Sequence, residues 1–192
     1  MSQNLRLTNI SILQYHVVCA QFVEVVAGPG YEKASLSLFL YDRQGKVYNT
    51  ISLGDVGSFT YSQDGSEYIV CLATLRAGSL QNGPADGIAL VQDQTELNRK
   101  VLQFLSYQGV LTATEGPAIG LVSTDIGVRE SNNYPIGSSL GLTGTGGYYS
   151  DFKWTQFSRA ASPGRLNPGQ FITQQIQLSV GMEEVKQPPW AQ

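Results

Sequence analysis

Residues 137 to 141, Gly137-Ser138-Ser139-Leu140-Gly141, fit the G-x-S-x-G pattern that exposes a nucleophilic serine in hydrolases. That chemistry needs a tight strand-to-helix turn around the serine and a histidine to take its proton. The following Leu142-Thr143-Gly144-Thr145-Gly146-Gly147 is a poor helix start, and the sole histidine, His16, sits in a strand-like Gln-Tyr-His-Val-Val context. Ser139 is therefore expected to be a strand-entry residue. Gly144 to Gly147 could cradle a phosphate through backbone N–H groups, but Tyr148-Tyr149-Ser150-Asp151 follows where a P-loop places Lys-Ser/Thr and a helix N-terminus. A hairpin loop joining 140–143 to 152–154 is the better reading.

The remaining reactive residues stand apart. Asp86, Asp125, Glu130 and Asp151 lie beside Gly or Ser without calcium-loop spacing, so each is expected to cap local backbone. Cys19 and Cys71 lie in apolar Val-Val-Cys-Ala and Ile-Val-Cys-Leu contexts, where buried thiols are preferred over a disulfide. With one histidine and no C-x-x-C, a Cys/His zinc site is disfavoured, and no cofactor or metal is expected. The aromatic residues Tyr31, Tyr107, Tyr134, Tyr148, Tyr149 and Trp154 could line a surface, although ten tyrosines in a β-rich chain mostly reflect strand propensity.

The elements that position these residues read as all-β. The 192 residues suit one core, with 42% hydrophobic and only 14% charged residues, a composition richer in strand and loop formers than in surface-helix formers. Strand-like runs are expected at 7–13, 15–27, 36–41, 47–53, 67–73, 87–91, 101–107, 139–143 and 152–157. Asp42-Arg43-Gln44-Gly45 is expected to turn the clearest hairpin. A short helical turn is expected near Asp93 to Asn98, and no long helix anywhere. A net charge of −3 and no long basic run disfavour nucleic-acid binding by bulk charge, although Arg76, Arg99, Lys100, Arg129, Lys153, Arg159 and Arg165 could form a local patch.

The N-terminal stretch lacks a basic region followed by an apolar one, and no segment approaches the ~18 apolar residues of a membrane span. From Ile172 the chain alternates through Ile176, Leu178 and Val180 and ends near Pro188-Pro189-Trp190. Such a segment could add an edge strand or exchange with a second subunit, making oligomerisation through the C-terminal extension an expectation.

The blocks Phe22-Val-Glu-Val-Val-Ala-Gly-Pro-Gly30, Ser37-Leu-Phe-Leu-Tyr-Asp-Arg-Gln-Gly45, Leu80-Gln-Asn-Gly-Pro-Ala-Asp-Gly87 and the run from Val101 to Val128 occur in one order. Together with Pro135 to Trp154 and Ala161-Ser-Pro-Gly-Arg-Leu-Asn-Pro-Gly-Gln170, they resemble the lamin tail domain, in its bacterial form beside nucleases and phosphatases of secreted and surface proteins. The resemblance implies an immunoglobulin-like β-sandwich over 7–171, flanked by an N-terminal tail at 1–6 and the extension at 172–192. It implies no catalytic residues, a binding or structural accessory role, and a secreted or cell-surface setting. The family's acidic entry loop is replaced here by Val17-Val18-Cys19-Ala20, and every carboxylate before Glu24 is gone. The expected function is a non-catalytic module docking onto another protein or assembly, with a nucleic-acid-binding accessory role as the alternative. The expected interaction surface comprises Tyr148, Tyr149, Ile176, Leu178 and Trp190.

Overall fold

In the computed structural model, the structure describes residues 5–11, 21–28, 31–63, 65–95, 98–129 and 135–173. Among the described residues, twelve strands form two sheets. The larger sheet has the order β11-β10-β1-β2-β6-β5, built from β1 (Leu5–Ser11), β2 (Gln21–Ala27), β5 (Gly57–Gln63), β6 (Ser66–Leu75), β10 (Ser139–Gly146) and β11 (Phe152–Phe157). The three-residue β12 (Gln170–Ile172) pairs parallel with β10. The smaller sheet has the order β4-β3-β7-β8-β9, from β3 (Leu36–Tyr41), β4 (Val47–Ser52), β7 (Asp86–Thr95), β8 (Asn98–Tyr107) and β9 (Thr124–Asp125). Among the described residues the only helical elements are single 3₁₀ turns, and no helix is long and apolar enough to cross a membrane.

One core joins the sheets in a sandwich-like, all-β arrangement. Val23, Val25 and Ala27 of β2, with Cys71 and Ala73 of β6 and Leu140 of β10, pack against Leu36, Leu38 and Leu40 of β3, Ile88 and Leu90 of β7, and Leu105 and Tyr107 of β8. Period-two alternation would leave the other face of each strand to water. Yet β2 and β3 are buried along their whole length, because each sheet is also covered on its outer side. A loop after β8 covers the smaller sheet, where Leu111, Ala113 and Ala118 pack on Phe39, Tyr41, Ala89, Val91 and Phe104. The chain after β11 crosses the larger sheet, where Val26, Tyr68, Val70, Leu142, Phe152 and Ile172 form a separate cluster.

Local turn chemistry follows the sequence. Asp42 Oδ1 accepts the N–H groups of Gln44 and Lys46, both at 2.9 Å, and Gly45 takes φ +77° to close the β3–β4 hairpin. One expectation is corrected and one strand is new. The helical turn near Asp93 to Asn98 is absent from the described part of that stretch, because β7 continues through Thr95 and β8 starts at Asn98, paired with each other. Strand β5, Gly-Ser-Phe-Thr-Tyr-Ser-Gln, was not expected: it is a mostly exposed edge strand, so no hydrophobic alternation marks it.

Candidate interaction surface

The loop covering the smaller sheet is a hydrogen-bonded ribbon. Gln108 adopts φ +61° and Gly109 follows, turning the chain out of β8. Asp125 holds this corner: its Oδ2 accepts Gly109 N–H at 2.8 Å and its Oδ1 accepts Gly127 N–H at 2.9 Å. Across the ribbon, Leu111 N–H donates to Ser123 Oγ at 2.9 Å and Ser123 N–H returns to Leu111 O at 2.9 Å. Ser123 Oγ–H in turn donates to Ser106 Oγ at 2.7 Å, tying the ribbon to β8. Thr112 and Val122 face each other as a lone antiparallel bridge.

The ribbon is also fixed at its far end. Ala118 N–H donates to the Tyr41 hydroxyl at 3.1 Å, and Thr114 N–H donates to Gly45 O at 2.8 Å. A Cβ on Gly45 would lie 2.1 Å from Thr112 O, so only glycine permits this approach to the hairpin turn. Glu115 Oε1 accepts Val47 N–H at 2.9 Å.

With Leu111, Ala113 and Ala118 turned inward, the outward side presents Val110, Ile119, Leu121 and Val122, exposed to 59%, 63%, 46% and 63%. Glu115 is the sole charged side chain from 108 to 124, and its Oε1 is already engaged with Val47. A fixed, nearly uncharged ribbon with four large apolar groups in water is an unusual feature for an isolated surface loop. Burying the exposed part of each would contribute about 1 kcal/mol, with little ordering cost because the backbone is already held.

The aromatic residues expected at the surface divide. Tyr148 is 50% exposed, and its N–H donates to Asp151 Oδ2 at 2.7 Å in a capped 3₁₀ turn. Tyr149 is half-buried, accepts Trp154 Nε1–H at 2.7 Å and packs against two core clusters. Burial raises the Tyr149 hydroxyl pKa, opposed by the Trp154 bond. Ile176, Leu178 and Trp190, like His16, Cys19, Glu130 and Tyr134, lie outside the described residues. The structure thus brings none of the described pair into the ribbon, which the sequence reading did not single out. Its signal was available: a run of 108–124 with five large apolar residues, no strand periodicity and one charge.

Both chemical motifs fall mainly on β10, which runs on through Gly144, Thr145 and Gly146 where a hairpin loop was expected. Ser139 is fully buried in β10, opposite Phe157 of β11, and its Oγ has no hydrogen-bond partner. Gly144 continues β10 at φ +132°, where a Cβ would sit 2.5 Å from Asp151 O, and its N–H donates to Gly169 O at 3.0 Å. That amide is therefore committed to the fold. Asp86 accepts Gly83 N–H at 2.7 Å, and burial raises its pKa against that bond. Cys71 is buried with a free thiol, and burial raises its pKa. Among the described residues, no group of three His, Cys, Asp or Glu side chains is placed to hold a metal.

Basic residues are divided between the two sheets, with Arg99 and Lys100 together on β8. Arg99 pairs with Asp93 at 2.8 Å and lies 5.5 Å from the Phe39 ring centroid on the smaller sheet, whereas Lys153 belongs to β11 of the larger one. Comparison with protein-family models, curated proteins and solved structures finds no match.

Proposed function

We propose that the chain is a non-catalytic interaction module, an immunoglobulin-like sandwich of the lamin tail type, that docks onto a partner protein through the outward side of the 110–122 ribbon. The observation carrying this reading is the ribbon itself: four exposed apolar side chains on a backbone fixed by Ser123, Tyr41 and Gly45. The fit is to a partner surface that is apolar and uncharged, since ion pairing has almost nothing to engage between 108 and 124. The resemblance to the lamin tail family supports a binding role, and burial of Ser139 supports a non-catalytic one.

The test compares the wild-type chain with a Val110→Asp/Val122→Asp double variant as immobilised bait. Both positions are exposed, so the variant is expected to keep its fold by circular dichroism. Proteins retained by the wild type and lost by the variant support the reading. An identical retained set, or retention of DNA duplex alone, removes it.

A further inference from the structure

The larger sheet carries a buried carboxyl, Glu24, that makes no ion pair among the described residues. On β2, Val23, Val25 and Ala27 face the main core, while Glu24 faces the opposite side, under the segment 158–173. Glu24 is fully buried; its Oε2 accepts Gly164 N–H at 2.7 Å and its Oε1 has no hydrogen-bond partner. The same segment is held by Tyr61 Oη–H donating to Gly164 O at 2.6 Å and Asn167 Nδ2–H donating to Leu142 O at 3.2 Å. Gln170 Oε1 accepts Asn167 N–H at 3.0 Å, but its Nε2 is buried without a partner. Crossing chain and sheet therefore meet through a polar seam that is incompletely satisfied, unlike the apolar core on the other face.

Charged or titratable residues on the surrounding elements are Arg6 on β1, Glu67, Tyr68 and Cys71 on β6, Tyr61 on β5, and Arg159 and Arg165 on the crossing segment. Tyr61 is committed to Gly164 O, Cys71 packs in the main core, and the Arg159 and Arg165 side chains are exposed. Among the described residues the ion pair in the fold is Arg99 with Asp93, on the other sheet. A carboxylate sealed here without a cation would be strongly disfavoured, so the closed segment requires Glu24 in its neutral form.

We propose that residues 158–173 form a strap whose seating on the larger sheet is controlled by a proton on Glu24. Closed, the strap shields a neutral carboxyl and the apolar residues beneath it, Val26, Tyr68, Val70 and Phe152 among them. Lifted, it gives Glu24 to water, the proton leaves to solvent, and the carboxylate opposes reclosure. Burial raises the Glu24 pKa to about 8, against the lowering effect of the Gly164 and Arg165 amides, while a solvated glutamate titrates near 4.5. Between those limits the opening equilibrium gains about tenfold for each pH unit. Above the upper limit the gain stops, because the closed form ionises too.

The experiment is native-state amide hydrogen exchange on the intact chain from pH 5 to 8, corrected for the intrinsic pH dependence of exchange. The opening constant at Gly164 and Arg165 is expected to rise about tenfold per pH unit. Amides of Leu38 and Leu90, central in the smaller sheet, exchange through global unfolding and are expected to show an opening constant well below that of the strap at every pH. Glu24→Gln should abolish it. A second variant, Tyr61→Phe, removes a strap bond without touching the carboxyl, so it should raise opening by a constant factor and keep the slope. A pH-independent opening constant in the wild type, a slope surviving in Glu24→Gln, or a slope lost in Tyr61→Phe would each overturn the proposal.

Discussion

Replacing Glu24 by Gln should make the whole fold more stable at alkaline pH, by an amount set by the site. The folded chain holds its proton up to about 8, whereas the unfolded chain releases it near 4.5, so the folded state binds more protons throughout that window. Stability from this group is therefore fully present below the lower value and lost as pH rises to the upper one. At 1.36 kcal/mol per pKa unit the complete loss is about 5 kcal/mol, of which about 3 kcal/mol has gone by pH 7. Gln is nearly isosteric, keeps an acceptor for Gly164 N–H and cannot ionise. Urea unfolding of wild type and variant at pH 5, 6, 7 and 8 isolates the effect, since other titrating groups cancel in the difference. The variant is expected to gain on the wild type by about 3 to 4 kcal/mol between pH 5 and pH 8. A difference independent of pH would refute the reasoning, because it would mean Glu24 titrates alike in both states.

Other positions give sharp expectations. Ser139→Ala removes a buried hydroxyl that has no partner, so stability should stay within about 1 kcal/mol of the wild type or rise, as read by thermal unfolding. Gly45→Ala places a Cβ against Thr112 O at a residue with φ +77°, and should cost about 2 to 4 kcal/mol in urea unfolding. Its damage should spread to the ribbon, with faster amide exchange at Thr114, whose N–H donates to Gly45 O.

Much of the fold was legible because turn chemistry and strand length act locally. The Asp42–Gly45 hairpin, the run 36–41 and the run 152–157 lie where their residues place them, since side-chain capping by Asp42 and a positive φ at Gly45 are decided within a few residues. Strand β5 was hidden because its polar edge position removes the alternation that betrays a half-buried strand. The helical reading of 93–98 failed for a related reason: polar residues at the far end of a long hairpin keep their ladder partners without needing apolar ones.

The proposed docking surface and the buried carboxyl were harder to see. Val110 and Val122 are exposed only because Leu111 and Ser123, their immediate neighbours, turn toward the sheet, a choice fixed by tertiary contacts with Ser106 and Gly87. Glu24 reads in sequence as a single charge within the apolar run Phe22 to Ala27, with nothing nearby to show what covers it. It is buried by Gly164, which is 140 residues away in the chain, and no local pattern reports such a contact. Conversely, Tyr149 has the composition of a contact residue yet is partly committed to Trp154.

The central claim, docking through an apolar ribbon, is tested most directly by measuring retention of bound protein on the wild-type chain and on Val110→Asp/Val122→Asp at low and high salt. An apolar contact is expected to persist or strengthen as salt rises, and the double variant should weaken it on the order of 100-fold at both ionic strengths. Retention that collapses steeply with salt and is unchanged in the double variant would contradict the account, because it would place binding on charge elsewhere in the molecule.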